Sequence, residues 1–368
     1  MALSAALRPI AYHDLPGWPA DDASGAFRAF RRSALRSREK AYRTGAFGLE
    51  AGAFMQAYAD CLQSDDLDAA SARAFFETHF VPAHVLPAQG DKGFVTGFYE
   101  PEAEASAVRT ERFRFPILSR PGDLVDIDDA NRPGGLDDYL AFGRTLGGSI
   151  VEYFDRGEIE RGALDGRELE IAWLKEKVDL FFIHVQGAAR LRMTDGTLRR
   201  VTYAAKSGQR FTGPGHVLAD LGEIRREDVT MQAIRAWFRA HPEQIDEILW
   251  RNRSYIFFRD APVDDPTLGP IAAAKVPLEP GRSVAVDRLL HTFGTPFFIH
   301  APGLDVFGRA PFARLMIAQD TGSAITGPAR GDLFTGSGPC AGEIAGVIRH
   351  EADFFALVPR ALMDTGRL

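Results

Sequence analysis

RLMIAQDTGSAITGPARGDLFTGSG, residues 314–338, is the stretch on which the reading of this chain turns. Leu315, Met316, Ile317 and Ala318 form an apolar run bounded by charged and turn residues, the pattern of a buried strand, and Asp320 stands where that strand leaves the core. A second carboxylate, Asp332, follows twelve positions later (332 − 320). Glycines at 322, 327, 331, 336 and 338 allow positive φ or close approach of a ligand to the backbone. Two acids carried on a glycine-rich loop suit chemistry. They equally suit turn residues that hydrogen-bond their own backbone, and these residues alone leave both readings open.

Outward from this stretch, the C-terminal third predicts strands at SYIFF (254–258), SVAVD (283–287), PFFIH (296–300) and DFFALVP (353–359). GFVTGFYEP (93–101), FRFPIL (113–118), VDLFFIHVQG (178–187) and VTYAAKSGQRF (201–211) also read as β structure. Helices are expected near 136–154 and 167–177, and a helical pair at 231–240 and 242–250, with Pro242 suited to a first helical position. The first eighty residues carry helical spacing through Phe27, Phe30 and Leu35, then Phe54, Tyr58 and Leu62, then Phe75, Phe76 and Phe80. Arg28, Arg31, Arg32 and Arg36 fit the solvated face of the first of these helices. The fold class is therefore mainly β with a helical N-terminal layer.

A chain of 368 residues has room for two domains, or one with an insertion. With 45% hydrophobic and 25% charged residues, 36 glycines and 22 prolines, it reads as globular and loop-rich. A net charge of −7 argues against nucleic acid as a partner. Cys61 and Cys340 have no zinc-ligand spacing, the nine histidines form no ligand cluster, and His350-Glu351 is no HExxH, so neither metal nor other cofactor is expected. Whether the two cysteines pair is open. Gly336-Ser337-Gly338 with Gly342 lacks the spacing of a dinucleotide loop. There is no run of eighteen apolar residues, and the N-terminus shows neither a secretory leader nor a lipid-accepting cysteine, so any membrane attachment would use an anchor not visible in this sequence.

Three segments read together resemble the membrane-bound lytic murein transglycosylases of type A, whose C-terminal module is named for three aspartates. GRSVAVDRLLHTFGTPFFIH (281–300) carries the first, Asp287, ahead of Gly294-Thr295; AQDTGSAITG (318–327) carries Asp320; GDLFTGSG (331–338) carries Asp332. Upstream, TGFYEP (96–101), FIHVQG (182–187), YAAKSG (203–208), MQAIRAW (231–237) and DLPGW (14–18) extend the resemblance, with departures from the family phrase YAGKNG at Ala205 and Ser207. It implies a double-psi β-barrel built from residues 1–103 and 259–368, a β-rich domain of residues 104–258 inserted between them, and a substrate groove at their junction.

The implied activity is non-hydrolytic cleavage of the β-1,4 bond between N-acetylmuramic acid and N-acetylglucosamine, leaving a 1,6-anhydro ring; endo or exo action stays open. Because the sugar's own C6 hydroxyl is the nucleophile, one carboxyl group can act as acid and then as base, unlike the pair of ordinary glycosidases. By position that group is Asp332, with Asp320 its electrostatic neighbour, Asp287 a scaffold residue, and Gly322 and Gly327 supporting turns. Tyr99, Gln186, Lys206, Ser207 and Gly336 lie in the motifs expected to line the groove. The implied partners are peptidoglycan strands and cell-wall synthases or hydrolases. The implied setting is the Gram-negative periplasm, associated with the outer membrane, and the implied state is monomeric. Two rival readings are a non-catalytic peptidoglycan-binding scaffold and a homodimeric aspartic-type protease using Asp320-Thr321-Gly322-Ser323, for which no second DTG is present in the chain.

Overall fold

The apolar run at 315–318 lies within a nine-residue strand, and the strands around it join into a closed ring. The computed structural model describes residues 3–308 and 311–363. Six strands make the ring: β1 (Gly93–Glu100), β2 (Ser283–Val286), β3 (Pro296–Ala301), β4 (Phe312–Asp320), β5 (Arg330–Ser337) and β6 (Arg349–Pro359). Their order is β1-β6-β3-β4-β2-β5, and β5 returns to β1. Closure leaves none of the six with an unpaired edge. β2 and β4 run parallel, whereas β2–β5, β3–β4, β3–β6 and β1–β6 are antiparallel. The shorter strands Phe80–Val85 and Leu7–Pro9 extend the sheet outward from β6.

Three N-terminal helices, α1 (Ser24–Glu39), α2 (Met55–Gln63) and α3 (Ala69–His79), share a core with these strands. Phe27, Phe30, Phe54 and Phe76 are buried in the same cluster as Phe297, Ile299, Leu315 and Ile317. A polar tie fixes α1 to the ring. Buried Gln319 donates to the carbonyl of Ala29 (2.7 Å) and to Ser33 Oγ (2.9 Å), and accepts from Ser283 Oγ (2.6 Å). Gly331 is required by packing: a Cβ there would lie 2.9 Å from Phe354 and 3.1 Å from Val284. Cys61 is buried and Cys340 exposed, and both are free thiols.

The chain divides into two units, Met1–Tyr99 with Asp265–Leu368, and Glu100–Asp264. The second unit carries a six-stranded sheet ordered Ile256–Ala261, Leu198–Lys206, Ala188–Met193, Glu102–Ser106, Glu170–Leu174, Phe115–Leu118, and a three-stranded sheet of Leu124–Asp126, Phe142–Leu146 and Ser149–Val151. Helices Met231–Ala240 and Ile245–Trp250 fall where the spacing predicts them.

Three expectations are corrected here. Residues 136–154 hold a hairpin rather than a helix: Leu146 pairs with Ser149 around Gly147 and Gly148, whose φ values of 58° and 84° make the tight two-residue turn that suits twisted strands. Residues 167–177 contain the strand Glu170–Leu174. VDLFFIHVQG, expected as a strand, lies in the helix Lys177–Gln186, ended by Gly187 in the left-handed conformation at φ 74°. That helix is buried on two sides, with Leu180 and Ile183 in one apolar cluster and Phe181 and Phe182 in another. Burial on both sides erases the amphipathic period that would identify it.

Where the chain enters the second unit, the fully buried carboxylate of Glu100 accepts from Arg190 Nε (2.8 Å) and from Arg200 Nε (2.6 Å) and Nη2 (3.2 Å). Removing it would leave two guanidinium groups buried without their shared counter-charge, so Glu100→Ala should destabilise this unit by about 3–5 kcal/mol. Urea unfolding monitored by tryptophan fluorescence measures the loss.

Candidate active site

Strand β2 brings the two C-terminal acids together. Ala285 is paired with Asp332 of β5 on its antiparallel side and with Asp320 of β4 on its parallel side. The β2–β4 register shifts between Val284 and Ala285: Val284 pairs with Ala318, Ala285 with Asp320, and Gln319 is the extra residue. Such a bulge re-aims the side chains beyond it. Here Gln319 turns to α1 and Asp320 takes the position opposite Ala285. With one strand between them, the two aspartate Cα atoms are about 10 Å apart.

Asp332 lies within β5 rather than on a loop, which corrects the expectation for its setting. Its Oδ1 accepts a short hydrogen bond from Thr96 Oγ1 of β1, and Thr96 Oγ1 accepts from Arg330 Nη2 at 2.7 Å. The Arg330 guanidinium lies 5.6 Å from the Phe94 ring centre. Burial raises the Asp332 carboxyl above the ordinary carboxylate range, opposed by the Thr96 bond and the Arg330 charge. Asp320 is pushed up to about 6, by burial and by the negative charge of Asp332, against hydrogen bonds from the backbone of Thr321 and Ala273 and the charge of Lys275. The Ala273 N–H to Asp320 Oδ1 distance is 3.1 Å. As residues, both aspartates are part-buried.

Asp287 acts on the neighbouring loop. Its Oδ1 accepts from Leu289 N–H (3.0 Å) and its Oδ2 from Gly327 N–H (2.9 Å), where φ of 105° requires glycine. His291 Nε2 donates to the Pro328 carbonyl (2.7 Å), and burial lowers that imidazole to about 4. The segment joining Asp320 to Asp332 is thus held at Gly327 and Pro328. Gly322 lies in the turn before Ile325, where an added Cβ would come 3.3 Å from Ile325 Cγ1. Gly336 has φ of 125° and lies beside Pro280 and Ala341.

The remaining expected groove residues fall in different settings. Tyr99 is buried, and a Cβ on Gly342 would meet its ring at 2.8 Å. Gln186 ends the helix before Gly187, and Lys206 ends the strand Leu198–Lys206; both are part-buried within the second unit. Ser207 is corrected: it is fully buried and its Oγ accepts the Tyr255 N–H at 3.1 Å, a bond that secures the strand and leaves the side chain no exposure to a glycan.

In a comparison with solved structures, this fold superposes on a membrane-bound lytic murein transglycosylase from Agrobacterium tumefaciens with a TM-score of 0.91 and 51% identity, over 98% of this chain and 99% of that one. The chain belongs to the MltA family. The MltA specific insert domain matches residues 94–259, and the 3D domain matches residues 282–358, which include all three aspartates. E. coli K12 membrane-bound lytic murein transglycosylase A is 34% identical over 263 residues, 69% of this chain; the match spans 62% of that relative's length, under two thirds. The structure of E. coli MltA with bound chitohexaose superposes with a TM-score of 0.70 at 26% identity, over 98% of this chain and 96% of that one.

Two site residues escape a reading of the sequence. Thr96 sits inside TGFYEP, but a threonine there signals nothing until β1 closes the ring beside β5. Arg330 belongs to an Arg-Gly-Asp tripeptide too short to carry meaning, and only strand alternation puts Arg330 and Asp332 on one face of β5 in this MltA chain.

Because the Asp320 carboxyl titrates above its unfolded value of 3.8, it favours the folded state below that value, and the contribution disappears as pH rises through about 6. A rise of about two units corresponds to roughly 3 kcal/mol. Asp320→Asn keeps an acceptor for Ala273 N–H and cannot ionise. It should therefore gain up to about 2–3 kcal/mol over wild type between pH 4 and pH 8, read from paired thermal melts across that range.

Proposed function

We propose that this chain is a lytic transglycosylase of bacterial peptidoglycan, with Asp332 as its single general acid and base. The observation that carries this reading is a part-buried carboxyl, held above its ordinary range by burial, in the stretch that matches the 3D domain. In the protonated form, Asp332 gives its proton to the glycosidic oxygen as the bond to C1 of N-acetylmuramic acid breaks. As carboxylate it then takes the proton of the C6 hydroxyl while O6 bonds to C1, which forms the 1,6-anhydro ring and restores the acid. No water is consumed. Once Asp332 ionises, its charge in turn holds up the carboxyl of Asp320, one strand away.

We read the closed ring, with its parallel β2–β4 pair, as the double-psi barrel, and this unit as the seat of the chemistry. The inserted unit supplies glycan-binding groups, with Gln186 and Lys206 the candidates that retain exposed surface. Chitohexaose, named as the ligand of the E. coli MltA structure, is an oligomer of N-acetylglucosamine, and its binding there supports a glycan as substrate here. Relatives named membrane-bound support a periplasmic, outer-membrane-associated enzyme. Among the described residues no helix is long and apolar enough to cross a membrane.

Asp332→Asn should keep the fold and glycan binding and lower turnover at least about a hundredfold, the lower bound of general acid–base assistance. Mass spectrometry of digested peptidoglycan should show anhydromuropeptides, one water lighter than hydrolytic products, with wild type and not with the variant. Ordinary reducing ends would make the enzyme a hydrolase with a second base. Intact glycan with wild type would make the protein a binding scaffold.

A further inference from the structure

The proton-exchanging atom of Asp332 can be singled out from its hydrogen bonds. Thr96 Oγ1 accepts from Arg330 Nη2 at 2.7 Å and donates to Asp332 Oδ1. A guanidinium can only donate, and a hydroxyl has one proton to give. With one lone pair taken by Arg330, the Thr96 hydroxyl is a stronger donor and a poorer acceptor, since hydrogen bonds in a chain polarise one another. Oδ1 is therefore held as an acceptor.

We propose that Arg330 and Thr96 are positioning residues that reserve Asp332 Oδ1 for the Thr96 hydroxyl, so that Oδ2 is the atom that carries the proton to and from the sugar. This inference rests on the acid–base reading of Asp332. In the cleavage step the Oδ2–H bond breaks as the proton joins the glycosidic oxygen, and in ring closure Oδ2 takes the C6 hydroxyl proton. Thr96 keeps its own proton throughout, and Arg330 acts only through Thr96 and through its charge.

The charged groups around Asp332 are few. Arg330 comes from its own strand, Asp320 lies across β2, and Lys275 faces Asp320. β1 contributes the neutral Thr96. The Thr96 bond stabilises the ionised carboxylate, because it is made to the charged form.

The test is a double-variant cycle on the full chain, using Thr96→Val, Thr96→Ser, Arg330→Gln and Thr96→Val/Arg330→Gln. The readouts are the carbon-13 resonance of the Asp332 carboxyl as pH is varied and the pH profile of kcat on peptidoglycan. A hydrogen bond to a charged group shifts a titration by about one to two units. Thr96→Val should move the Asp332 midpoint, and the alkaline limb of kcat, upward by about that amount, and Thr96→Ser should restore both. Arg330→Gln should also move them upward, and the double variant should shift less than the sum of the singles. An unmoved midpoint in Thr96→Val, additive shifts, or failure of serine to restore the midpoint would each overturn the proposal. The resonance is read without turnover. An enzyme that forms no anhydro product but shows the coupled shifts would therefore refute the transglycosylase reading and keep the positioning of Asp332 Oδ1 by Thr96 and Arg330.

Discussion

Strand β2 is the constraint on which the site depends. It is four residues long, and it is paired on both sides, parallel to β4 and antiparallel to β5. A parallel neighbour cannot be reached by a tight turn. The chain must leave β2, run antiparallel to β4 as β3, and return before β4 can lie alongside. That detour puts the Asp287 loop and β3 between β2 and β4 in sequence while β2 and β4 touch in space. The two acids consequently arrive from different directions at the same residue, Ala285, and neither is placed by its own local conformation.

The polar groups around this strand are arranged by depth. Gln319, one residue before Asp320, is fully buried and has its amide bonded to Ala29, Ser33 and Ser283. A buried amide without partners would be costly, so these bonds fix the bulge that delivers Asp320. Asp320 and Asp332 are less deeply placed. They hold protons more readily than free carboxyls because burial penalises charge, yet each keeps at least one donor that limits the rise. The balance suits a group that must be protonated at one step and ionised at the next.

Much of this is legible in the sequence. The run at 315–318 reads as a strand because its apolar residues stand between charged and turn residues, and the spacing of Phe27, Phe30, Phe54 and Phe76 reads as helical because one face is buried. The errors have physical causes too. Gly147-Gly148 outweighs any helical spacing between 136 and 154 because two consecutive positive φ values demand a hairpin. VDLFFIHVQG carries no period because both its sides are covered. Ser207 resembles a surface residue in a polar motif, and its burial goes with its bond to Tyr255, the residue just before the strand Ile256–Ala261.

The apolar runs, the helical faces, the glycine positions and the three aspartates are readable locally, because they follow from spacing along the chain and from the backbone freedom of particular residue types. Only the folded arrangement makes Asp320 and Asp332 flank Ala285, lets Thr96 and Arg330 complete the hydrogen bonds of Asp332, and sets Glu100 between two arginines in the second unit. Each of those depends on strands or segments brought together from far apart in the chain, 236 positions apart for Thr96 and Asp332. Such neighbours are created by ring closure, and no local preference of either residue encodes them.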